Sequence, residues 1–67
     1  MCEANAYVEH DGGEELYLES VDVIRPEVGG TLFLRNLFGE QKVFRGRVKE
    51  ISLLKHKIIL ARGDDDV

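Results

Sequence analysis

Tyr7-Val8-Glu9-His10-Asp11-Gly12-Gly13-Glu14-Glu15-Leu16 reads as strand, tight turn, strand. Asp11-Gly12 supplies the positive φ that hairpin turns require, and the flanking residues alternate as a half-buried strand does. Upstream, Cys2, Ala4, Ala6 and Val8 share one face; downstream, Leu16 and Leu18 alternate with Glu15, Tyr17 and Glu19. Val21 to Arg25 forms a third strand, stopped by Pro26, which lacks the backbone donor a sheet ladder uses. Gly29-Gly30 turns the chain into Leu32-Phe33-Leu34-Arg35, and Asn36 to Glu40 is a loop carrying two apolar residues, Leu37 and Phe38. From Lys42 to Ile51, Phe44 and Val48 occupy one face and Arg45, Arg47 and Lys49 the other. After a connection at Leu53 to His56, Lys57 to Ala61 is the closing strand.

These turn spacings predict an all-β fold, a small barrel or rolled antiparallel sheet of five to seven short strands. A single β domain over residues 1–63 accounts for the pattern, with residues 64–67 a flexible acidic tail. Sixty-seven residues hold no second core. The stability expected of such a chain is roughly 3 to 10 kcal/mol, and small scaffolds in that range lean on disulfides, metals or oligomerisation. With one cysteine there is no internal disulfide, which leaves a metal or a partner subunit. Leu37 and Phe38 need cover from the core or from a second copy, so a homodimer is expected. Met-Cys-Glu-Ala-Asn has no basic stretch leading into an apolar run, and a lone thiol suits a reducing compartment; the expectation is a cytoplasmic protein without membrane segments.

The formal charge of −4 is strongly segregated. Residues 1–40 hold two basic and nine acidic side chains, residues 41–62 seven and one, and residues 63–67 three acidic ones. Acidic and basic strands lying side by side would pair these charges across a solvated face, which is the favoured reading. The alternative is a basic surface for RNA, with Arg45, Arg47 and Lys49 on phosphates and Phe33 or Phe38 stacking on bases. An acidic chain weakens that alternative.

No catalytic constellation stands out. Serine occurs only at positions 20 and 52 and histidine only at 10 and 56, without a motif joining nucleophile, base and orienting acid. No P-loop or dinucleotide fingerprint is present, and neither CxxC nor HxxxH spacing occurs. The chain is therefore expected not to be an enzyme. His10 borders the hairpin turn as an exposed imidazole, and His56 lies between Lys55 and Lys57, whose field opposes a cation.

Cys2 is different because of its position. With Met1 retained, the α-amine, the Cys2 amide nitrogen and the thiolate close two five-membered chelate rings; with Met1 removed, the Cys2 amine and thiolate close one. Both versions mix nitrogen with a soft sulfur donor and suit Ni(II) or Cu(II) in a planar field. One chain still supplies too few donors, and a twofold dimer that brings two Cys2 residues together doubles them.

Met1-Cys2, Gly12 at a first turn, Asp22-Val23 before Arg25-Pro26, Leu37-Phe38-Gly39-Glu40, Gly46-Arg47-Val48 and Ile58-Ile59-Leu60 together resemble the CooT family of small nickel-binding proteins. The resemblance covers nearly the whole chain, and Met1-Cys2 is its chemically distinctive element. It implies a homodimer with a small β-barrel-like fold, a nickel site involving Cys2, to which the chelate argument adds Met1, and an accessory role in nickel supply to carbon monoxide dehydrogenase as the client enzyme. Members of that family also carry the label of predicted RNA-binding proteins. Hydrogenase maturation chaperones of the HypC type open Met-Cys as well, but here Glu3-Ala4-Asn5 replaces their apolar and Pro-Gly continuation. A metal-independent interaction domain docking through Leu37-Phe38 is the remaining alternative.

Overall fold

The computed structural model describes residues 3–63. They form five strands: β1 (Ala4–His10), β2 (Gly13–Glu27), β3 (Thr31–Asn36), β4 (Gln41–Ser52) and β5 (Lys57–Arg62). Each pairs antiparallel with the next, and β5 returns beside β1 to close a barrel. The closing pair runs parallel, Asn5 to Glu9 against Lys57 to Ala61. An up-and-down path with an odd number of strands leaves its first and last strands pointing the same way, so this seam has to be parallel. Closure removes both sheet edges, which a chain this small could not otherwise cover.

Two of the strands are long rather than short, because each serves its two neighbours along successive halves. The first half of β2 pairs with β1 and the second half with β3. The change of partner falls at Ser20, which has φ 56° and whose N–H donates to Asn5 Oδ1 at 3.0 Å. Val21 to Arg25 is thus the far half of β2 and not a separate strand. Pro26 lies inside β2 opposite Leu32, near the strand end where one missing donor costs little.

A similar change of partner occurs in β4, which leaves β3 after Arg45 and joins β5 from Gly46. Gly46 is buried with φ 157°, and a Cβ there would collide with the Ala61 carbonyl oxygen and the Phe44 ring. Only glycine lets β5 approach this closely.

The core gathers Ala6, Val8, Leu18, Val21, Leu32, Leu34, Phe44, Ile58 and Leu60, so the expected apolar face of β1 does point inward. The alternation expected of Leu16 and Leu18 breaks. Leu18 is buried but Leu16 is 52% exposed, because the register skips Tyr17 between the Ala6 and Tyr7 pairings. That bulge turns Tyr17 toward the core, where its ring meets Phe44 edge-on at 5.3 Å.

Candidate functional site

Asn5 organises the beginning of β1. Its N–H donates to the His56 carbonyl at 3.0 Å while its side-chain oxygen accepts the Ser20 N–H. The strand start is thereby pinned between the bend in β2 and the β4–β5 turn. Nothing in the local sequence pattern marks Asn5 for this task; an amide on a strand, where such residues are depleted, is the one available signal.

Among the described residues, a hollow lies between the far half of β2 and the end of β4. It is a groove of about 350 Å³ whose apolar wall includes Val21, Val23, Ile24, Ile51, Leu53 and Ile58. Glu3, Asp22, Ser52 and His56 are its polar members. A neighbouring hollow of about 230 Å³ shares Glu3, Ala4 and His56 and adds Asn5 and Ser20. Met1 and Cys2 lie outside the described residues, but Cys2 is bonded to Glu3, which lines both hollows. His56, set aside in the sequence for its lysine neighbours, lines both as well. Among the described residues, no three His, Cys, Asp or Glu side chains come together as a metal site requires.

His10 sits on the β1–β2 hairpin, half-exposed, with Nδ1 3.3 Å from Asp11 and Nε2 3.6 Å from Glu15. The segregated charges pair only in part. Lys49 meets Glu9 at 2.6 Å, and Lys57 meets Glu14 at 2.6 Å and stands over the Tyr7 ring. The hydrogen bond to Glu14 holds the Lys57 ammonium above its ordinary pKa of 10.5. Arg45 and Arg47 are exposed and have no ion-pair partner among the described residues.

The apolar loop is shaped by Asn36, which is buried. Its Oδ1 accepts the N–H groups of Phe38 at 3.0 Å and Glu40 at 2.8 Å, and its Nδ2 donates to Glu40 Oε1 at 2.7 Å. The tight turn leaves Phe38 70% exposed, so the core does not supply the cover expected for this loop. Among the described residues, no helix is long and apolar enough to cross a membrane.

The family model described as CO dehydrogenase accessory protein CooT matches residues 1–61. Among solved structures, the chain is similar to the crystal structure of a protein assigned as CooT from Carboxydothermus hydrogenoformans. The two are 43% identical with a TM-score of 0.87, over 94% of this chain and 100% of that one. No curated protein matches.

Proposed function

Because the chain belongs to the CooT family of CO dehydrogenase accessory proteins, we propose that it binds Ni(II) through Cys2 at a dimer interface and supports nickel supply to that enzyme. The family is one of accessory proteins and not the dehydrogenase itself. The observation that carries the proposal is the groove at the start of β1, lined by the residue bonded to Cys2.

Nickel is cargo here, and the donor chemistry fits it. A thiolate is the soft ligand in the chain, and the terminal nitrogens of Met1 and Cys2 supply the harder donors of a planar field. Described residues gather no metal-binding cluster of their own, and Cys2 carries the thiolate that the proposed site uses. A second copy completes the ligand set, and the apolar surface beside the groove supports that arrangement: Leu53 is 83% and Leu54 90% exposed on the β4–β5 turn. A cytoplasmic setting keeps the thiol reduced.

The test is a nickel titration of the native chain and of Cys2→Ser, followed by light absorption and native mass measurement. Cys2→Ser keeps the amine and amide but replaces the soft ligand with a hydroxyl. Binding should weaken severely and the thiolate-to-metal charge-transfer band should vanish. Full affinity in Cys2→Ser, with loss on His10→Gln or His56→Gln instead, overturns the site.

A further inference from the structure

The register of three adjacent strands places a basic and apolar grid on the outside of the barrel. Arg25 faces Phe33, which faces Val43; Val23 faces Arg35, which faces Gln41; Glu27 faces Thr31, which faces Arg45. These residues alternate with Ile24, Leu32, Leu34 and Phe44, which point inward, so the nine share the outer face. The half-buried Phe33 is at its centre with Val43, 67% exposed, beside it on β4, and the grid holds three exposed arginines.

We propose that this face docks a protein segment whose carboxylates meet Arg25, Arg35 and Arg45 while an apolar side chain seats on Val43, beside the arginine-covered Phe33. Charge complementarity points to an acidic partner: the grid carries three arginines and one carboxylate on a chain whose net charge is −4. The arginines also keep donors in reserve. Arg25 spends its Nε on Glu27 at 2.8 Å, and Arg35 turns its Nε to Asp22 at 3.7 Å, beyond hydrogen-bond reach. Among the described residues, no side-chain hydrogen bond engages their terminal nitrogens or the Arg45 guanidinium, the groups with which arginine makes paired bonds to carboxylates.

Three of the four lysines behave otherwise. Lys42 donates to the Tyr17 carbonyl, Lys49 to Glu9, and Lys57 pairs with Glu14, so these three are engaged within the chain. A surface that presents arginine around an aromatic and an aliphatic side chain has the composition of a protein interface. RNA fits less well, because the Arg25 guanidinium lies 4.7 Å from the Phe33 ring centroid and covers the face on which a base would stack. Val23 belongs both to this grid and to the wall of the N-terminal groove, so a docked partner would lie beside that groove. The inference does not depend on nickel.

Fluorescence anisotropy tests it, with a labelled Glu/Leu peptide as probe, a Lys/Leu peptide and oligouridylate as comparisons, and the full chain as binder. The Glu/Leu peptide should bind at low salt, and Arg45→Glu and Val43→Thr should each weaken it by about tenfold. Lys55→Glu, the same charge reversal on the β4–β5 turn, should leave it within about twofold. Circular dichroism and nickel titration of the variants should match the native chain, which separates this proposal from that for Cys2. Absent binding, equal weakening by Lys55→Glu and Arg45→Glu, or tighter binding of oligouridylate than of the peptide each overturns the proposal.

Discussion

Replacing Gly46 by alanine adds one methyl group at the point where β4 leaves β3 for β5. The added carbon has nowhere to go: the Ala61 carbonyl oxygen lies inside its contact radius and the Phe44 ring edge blocks the other side. Neither neighbour gives cheaply, since Ala61 is backbone in β5 and Phe44 is a core residue. Overpacking of this kind costs about 1 to 3 kcal/mol, and forcing alanine to keep a φ of 157° adds about 1 to 2. The total, about 2 to 5 kcal/mol, is a large share of the roughly 3 to 10 kcal/mol available. Gly29→Ala is the control: φ there is 88° but an added Cβ meets nothing within 4 Å, so only the backbone cost of about 1 kcal/mol applies. In urea, with a slope near 1 kcal/mol per molar, Gly46→Ala should lower the midpoint by about 2 M or more and Gly29→Ala by about 1 M. Equal midpoints for the two variants, with unchanged slopes, would show that the close approach of β5 to Gly46 does not govern stability.

Three further outcomes follow from the site and its surroundings. Nickel affinity should fall as pH drops, because the Cys2 thiol must lose its proton to bind; titrations in two buffers of different ionisation enthalpy should show protons released, and a pH-independent affinity would rule out thiolate ligation. Sedimentation at roughly tens of micromolar should find the native chain dimeric and the double variant Leu53→Glu, Leu54→Glu monomeric; dissociation by Phe38→Glu instead would move the interface to the Asn36–Glu40 loop. Lys57 has a raised pKa in the folded state, so its contribution is fully present below the ordinary 10.5 and is lost as pH climbs through the higher folded value. Urea midpoints should therefore fall above about pH 10.5, and Glu14→Gln should flatten that slope; an unchanged slope in Glu14→Gln would break the link between this pair and alkaline stability.

Much of the barrel could be read along the chain. Asp11-Gly12 marked the first turn, the alternation of Ala4, Ala6 and Val8 gave the buried face of β1, and the run from Lys42 to Ile51 gave most of β4. These are local properties: a turn needs a particular φ and a strand repeats every two residues, whatever surrounds it. The chelation proposed at Cys2 rests on a local argument of the same kind, since adjacent donors close chelate rings without help from a fold.

The same local rules failed where one strand serves two neighbours. Tyr17 points to the core and Leu16 to solvent because a bulge shifts the phase, and Val21 continues β2 because Asn5, fifteen residues away in sequence, accepts the Ser20 N–H. Equally, the parallel seam between β1 and β5, the groove beside Glu3 and the gathering of Arg25, Arg35 and Arg45 around Phe33 join segments that are distant along the chain. Periodicity shows which face of a strand is apolar but not which strand lies next to it. That choice belongs to barrel closure, where strand number, bends at Ser20 and Gly46, and the burial of one shared core have to be satisfied together.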